Sequence, residues 1–194
     1  MGSPTSETDR RSLLRLARSS IRDAIERDGC LARLLDETRI TPEMRVRRGL
    51  FVTLKSKVDG SGAERAGGRL RGCIGTMSSD RPLYETVIDT APKAALADPR
   101  FPPLTGDELD GVRISLSVLS PMSRIDDIDD LLIGRDGLQL VKGSRRAVFL
   151  PQVPVEQRWD RGRYLEQLAL KAGLPRDGWR GAELSVFEAE LFGE

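Results

Sequence analysis

Apolar and polar residues alternate along this chain with two periods, and the changes between them mark its elements. From about Asp9 to Asp28, Leu13, Ala17, Ile21, Ala24 and Ile25 fall on one face at helical spacing. Gly29 is the expected stop, because glycine enters the left-handed region without a Cβ clash. Leu31, Leu34 and Leu35 continue an apolar face after that break. The period then shortens. Gly49 to Lys55 reads as a strand, and Arg69 to Ile74 as its antiparallel partner across a glycine-rich loop at Asp59 to Gly68.

A helix is expected to begin near Pro82, capped by Ser79 or Asp80, with Leu83, Val87, Ile88, Ala91 and Ala95 buried. Pro92 should kink or interrupt it. Three prolines make Asp98 to Leu104 irregular. Val112 to Leu119 alternates almost perfectly and predicts a strand with one buried face. Asp126 to Leu132 is a short helix or loop, and Leu138–Val141 with Ala147–Leu150 forms a hairpin. A helix over about Arg158 to Ala172, ending at Gly173, precedes a last strand at Leu184 to Leu191. Neighbouring hairpins with intervening helices favour an α+β fold with a largely antiparallel sheet. The reading is a flexible start over residues 1–8 and a single domain over 9–194, carrying a smaller lobe.

Composition narrows the chemistry. The 194 residues carry no histidine. That removes Ser-His-Asp and Cys-His catalysis and every zinc site built on imidazole. A general base must be a carboxylate, a lysine, a tyrosine or a thiolate. The net charge of +1 argues against nucleic-acid binding, which draws its affinity from phosphate neutralisation. Arg45, Arg47 and Arg48 lie close together, and a solvated surface accounts for them. Of the 31 basic residues, 26 are arginine, which genome composition explains as well as function does. The two cysteines, Cys30 and Cys73, form no C-x-x-C pair, so a reducing compartment is expected. No apolar run reaches membrane-spanning length and the start lacks a signal core, giving a cytoplasmic expectation with no membrane partner.

The chemistry-bearing residues concentrate in two strings. In Leu70-Arg71-Gly72-Cys73-Ile74-Gly75, Gly72 and Gly75 let the backbone bulge around the thiol and a ligand approach. Cys73 is then an accessible thiol of lowered pKa, or it packs as a small hydrophobe. Arg71 is expected on the opposite face of the strand, reaching the thiol only if the glycines bend the chain. In Asp98-Pro99-Arg100-Phe101, Arg100 suits bidentate capture of an anion, or pairs internally with Asp98 and pins the loop. One reading joins Arg71 and Arg100 in an anionic pocket beside Cys73. Gln152, at an expected strand end, and Lys55 are further candidate ligand contacts. Trp159-Asp160 reads as a packing anchor followed by a helix cap, and Cys30 as inert. Asp126, Asp127, Asp129 and Asp130 lack EF-hand spacing and read as a solvated acidic surface. No metal site, nucleotide-binding loop or other cofactor motif is recognised.

These strings, with Gly49-Leu50-Phe51-Val52-Thr53-Leu54-Lys55, Asp98-Pro99-Arg100-Phe101-Pro102-Pro103-Leu104, Ile114-Ser115-Leu116-Ser117-Val118-Leu119, Leu150-Pro151-Gln152-Val153-Pro154, Trp159-Asp160 and Lys171-Ala172-Gly173-Leu174, resemble the AMMECR-one family in order and spacing. The resemblance covers about residues 10 to 192. It implies an α+β fold with two unequal lobes. It also implies Memo-like and radical SAM partners, without a reaction. Two readings of function stay open: a thiol-dependent enzyme or modification component centred on Cys73, and a non-catalytic module that binds a protein or a small anion.

Overall fold

The computed structural model describes residues 5–56 and 68–194; most of the glycine-rich loop at Asp59 to Gly68 lies outside them. The chain divides into two compact units. One comprises the chain up to Leu119 together with Glu190–Glu194, the other Ser120–Ala189.

In the first unit, α1 (Glu7–Glu26) and α2 (Cys30–Glu37) precede β1 (Leu50–Ser56) and β2 (Leu70–Thr76). Then come α3 (Leu83–Leu96), α4 (Gly106–Leu109) and β3 (Val112–Leu119). The strands are antiparallel in the order β2-β1-β3, with β2 at the edge. The last residues of the chain run beside β3, where the Glu194 N–H donates to the Ile114 carbonyl at 3.1 Å. Alternation sends Leu50, Val52 and Leu54 of β1, with Ile114, Leu116 and Val118 of β3, to one face. There they meet Leu13, Leu16, Ala17 and Ile21 of α1 and Val87, Ala91 and Ala94 of α3. Each fully buried Leu or Ile contributes about 1.5–3 kcal/mol here. The opposite face carries Phe51, Thr53 and Lys55 of β1 and Arg113, Ser115 and Ser117 of β3.

In the second unit, β4 (Ser123–Ile125), β5 (Asp136–Lys142), β6 (Arg145–Phe149) and the part of β7 (Glu183–Gly193) up to Ala189 pair antiparallel, β5 and β4 on opposite sides of β7. Leu138, Leu140 and Leu184 pack against Tyr164, Leu165 and Leu168 of α6 (Arg161–Lys171). Phe149 and Trp159 meet edge-on at 5.3 Å, and the Asp160 carboxylate caps α6 through the Arg163 N–H, so the anchor-and-cap reading holds. Among the described residues no helix is long and apolar enough to cross a membrane.

Several boundaries differ from expectation. α1 ends earlier, on Arg27 in the left-handed region at φ 56°, and Gly29 at φ 70° opens α2 instead of closing α1. At the other end, Thr5 is buried and held by Glu190, and Ser6 caps α1, so order begins before Asp9. The residue at the cap position of α3 is Pro82, not Ser79 or Asp80. Ser79 instead bonds the Thr86 hydroxyl at 2.8 Å. α3 runs through Pro92 without a break, held by the buried row Thr90, Ala91, Ala94 and Ala95. Gln152 does not end a strand; it opens the short helix α5 (Gln152–Glu156).

Candidate functional site

The register of β1 and β2 sets the surroundings of Cys73. Thr53 lies opposite Cys73, Val52 opposite Ile74 and Leu54 opposite Gly72. Cys73 therefore lies on the polar face with Thr53, and its sulfur is 3.3 Å from the Thr53 hydroxyl oxygen. The residue is half-buried and its thiol is free. Gly72 faces the helical layer, where a Cβ would overlap the Ala94 carbonyl oxygen. Only a bare backbone lets α3 approach β2 this closely. Gly75, on the Cys73 side, is filled in the same way by Phe51 and the Leu50 carbonyl. Both glycines thus serve close packing in this structure.

The pairing skips Arg71. Leu54 opposes Gly72 and Lys55 opposes Leu70, so Arg71 is the extra residue of a bulge. Strand alternation no longer fixes its direction. Its guanidinium donates to both Glu108 carboxylate oxygens at 3.1 Å and to the carbonyls of Pro102, 2.8 Å, and Pro103, 3.3 Å. The glycine-bearing strand does bend, but this guanidinium is engaged with the proline loop and α4. Arg71 and the Thr105 N–H hold the Glu108 carboxyl down at about 2.

Arg100 stands by the thiol instead. β2 is an edge strand, and the N–H and C=O of Cys73 point away from β1. The N–H donates to Asp98 Oδ2 at 2.8 Å, and the C=O accepts from Arg100 Nη2 at 3.1 Å. Asp98, whose side chain is 2% exposed, also accepts from Arg100 Nη2 at 2.7 Å, Nε at 3.0 Å and the Arg100 N–H at 3.1 Å. Its carboxyl is held well below the carboxylate range, first by Arg100, against the opposing effect of burial, and then by the Cys73 and Arg100 amides. Arg100 is raised in turn, foremost by its hydrogen bonds with Asp98, against the opposing effect of burial. The Asp-Pro-Arg-Phe string thus docks on the free edge of the strand and covers the backbone groups of its cysteine. The Arg100 side chain remains 54% exposed, so one face of the guanidinium stays open to a ligand.

Lys55 shares the polar face two residues from Thr53, opposite Arg113. Gln152 stands in the second unit. Cys30 donates to the Ser19 carbonyl, and burial followed by Asp28 pushes its thiol up. Its sulfur, Asp23 and Asp28 bring three ligand atoms within 4.8 Å of one another, a grouping unseen in the sequence because Asp23 is contributed by the preceding helix. Thr53 and Glu108 were also missed. Thr53 was in principle readable, because fixing the hairpin register places it across from Cys73.

Comparison with known proteins agrees with this architecture. The AMMECR1 family model matches residues 14–192. A protein of Thermofilum pendens is 40% identical over 191 residues, covering 94% of this chain and 88% of its own. One from Methanocaldococcus jannaschii is 42% identical over 156 residues, 76% of this chain and 74% of its own. The crystal structure of an uncharacterised protein from Pyrococcus horikoshii superposes with a TM-score of 0.77 at 36% identity, over 94% of this chain and 89% of that one. With the match running through every element from α1 to β7, the chain belongs to the AMMECR1 family.

Proposed function

We propose that this protein is a thiol-dependent modification component in which Cys73 is the reacting group. The observation that carries the reading is a half-buried free thiol 3.3 Å from the Thr53 hydroxyl, on a residue whose carbonyl accepts from an Arg100 guanidinium oriented by a buried carboxylate. A cation beside a cysteine favours the thiolate, which is the nucleophilic form. The hydroxyl can donate to that thiolate, and the open face of Arg100 suits a carboxylate or phosphate on the incoming molecule. Arg71 and Asp98 serve the scaffold in this reading, while Arg100 and Lys55 offer charge on the thiol's side of the sheet. The family resemblance supplies the class of partner, Memo-like and radical SAM proteins.

The second reading, a non-catalytic module for a protein or small anion, has its own support. Arg71, Asp98 and one side of Arg100 are already engaged internally, and Cys73 has no histidine to take its proton. Affinity capture with the neighbouring gene products separates the two. Intact-mass spectrometry of the captured wild type should show a covalent adduct that Cys73→Ala lacks and Cys30→Ser retains. Capture of the same partners by wild type and Cys73→Ala, with no adduct on either, would establish the module and overturn the enzyme.

A further inference from the structure

We propose that a second site, on the helical side of β2, binds a small oxyanion carried by a polar molecule. A cavity of about 280 Å³ opens where the end of β2 and the following turn meet α3. It lies just below the usual range of about 300–1,000 Å³ for small-molecule pockets, which points to a small metabolite. Ile74, Gly75 and Thr76 form one wall, Ser78 and Ser79 the turn, and Thr86, Asp89, Thr90 and Lys93 of α3 the other, with Arg81 beside them. The α3 residues recur at helical spacing, so one face of that helix is polar where a core helix would be apolar.

The hydroxyls divide into engaged and free. Thr86 is buried and bonded to Ser79 and to the Pro82 carbonyl at 3.0 Å, and Thr76 donates to the Ser78 carbonyl at 2.6 Å. Thr90, only 5% exposed, lines the cavity, and its hydroxyl makes no hydrogen bond among the described residues. That hydroxyl is reachable from the cavity and not sealed in the core, so it is available to donate to a ligand there. Gly75 adds a donor. Two residues beyond Cys73 on the edge strand, its N–H points away from β1 as that of Cys73 does.

Charge then selects the ligand class. Asp89 lies between two cations, 2.6 Å from Lys93 and 3.8 Å from Arg81, and Glu85 holds Arg81 from outside the cavity at 3.4 Å. Lys93 and Arg81 have side chains 55% and 57% exposed, so these pairs are solvent-screened and exchange readily. The lining itself carries two cations against one carboxylate. Both cations can turn to an anion at the mouth, with Thr90 and the Gly75 N–H as donors inside. Asp89 competes for those cations while the cavity is empty of anion.

The test is amide NMR titration of the full chain with inorganic phosphate at constant ionic strength, with acetate, glycerol and chloride as parallel arms. Saturable shifts at Gly75, Ser78 and Thr90 are expected with phosphate, or with acetate if the carried group is a carboxylate. The Arg81→Ala/Lys93→Ala variant should weaken binding by at least about tenfold, the ratio corresponding to about 1.4 kcal/mol. Thr90→Val should weaken it severalfold, and Asp89→Asn should tighten it. Three results would overturn the proposal: shifts matched by chloride, saturation by glycerol alone, or binding unchanged in the double variant. Arg81 and Lys93 are exposed, so the double variant should keep a folded spectrum. Cys73 takes no part, and its reactivity stands or falls separately.

Discussion

Removing the Asp98 carboxylate tests how the first unit holds its edge strand. Asp98 accepts four hydrogen bonds, one of them from the Cys73 N–H. Breaking a buried ion pair by deleting one partner costs about 3–5 kcal/mol. The Arg100 side chain is 54% exposed and can rehydrate, so the low end, about 3 kcal/mol, is expected for Asp98→Ala. Both tryptophans, Trp159 and Trp179, lie in the second unit, so fluorescence reports the wrong region. Circular dichroism of α1 and α3 during urea unfolding is the suitable assay. At a slope of about 1.5–2 kcal/mol/M, the transition that takes those helices should fall by roughly 1.5–2 M. Acid supplies a second arm. The folded Asp98 carboxyl is depressed, so its contribution is complete above the unfolded value of about 3.9 and is lost as pH falls through the folded value. Asp98→Asn keeps an acceptor for Cys73 but loses the charge, so its deficit against wild type should narrow below about pH 4. A midpoint within about 0.3 M of wild type for Asp98→Ala, less than about 0.6 kcal/mol at that slope, would refute the reasoning, as would a deficit independent of pH.

Other outcomes follow from the same contacts. Gly72→Ala should destabilise the first unit by about 1–3 kcal/mol, because its Cβ meets the Ala94 backbone, and thermal unfolding would show it. Arg71→Ala should raise the Glu108 carboxyl from about 2 toward the ordinary value near 4.3, as followed by carboxyl NMR. Glu108 contributes stability above about pH 4.3 that fades toward about pH 2, and its 44% exposed side chain limits the effect to under about 1 kcal/mol. Tyr164 is fully buried and desolvation drives its phenol upward, so ultraviolet titration should show it protonated until the second unit unfolds in alkali.

What the sequence disclosed was mostly local. The alternation from Val112 to Leu119 and the helical spacing from Leu13 to Ile21 report which face meets the core, and both elements formed where that pattern put them. Errors arose where a residue's local preference was outweighed by its neighbours. Pro92 remains inside α3 because the residues around it are buried on that helix. Gln152 was expected at a strand end, yet it opens a one-turn helix behind Pro151, whose missing N–H is tolerated at a helix start. The candidate site was legible in its parts but not in its connections. Cys73, Arg71 and Arg100 were all identified, and one reading joined both guanidiniums in a pocket beside the thiol. A bulge at Arg71 leaves its guanidinium on Glu108, while the loop that follows α3 brings Arg100 to the Cys73 carbonyl. Those placements depend on tertiary docking, which spacing along one strand does not encode.

Alkylation of the native protein addresses the reacting sulfur itself. Wild type, Cys30→Ser, Cys73→Ser and Arg100→Ala would be treated with iodoacetamide across a range of pH and read by peptide mass spectrometry. The account predicts modification of Cys73 in the folded state, slowed in Arg100→Ala and absent in Cys73→Ser. If Cys73 reacts only once the chain is denatured, or at the same rate without Arg100, the guanidinium-assisted thiol is not what this surface provides.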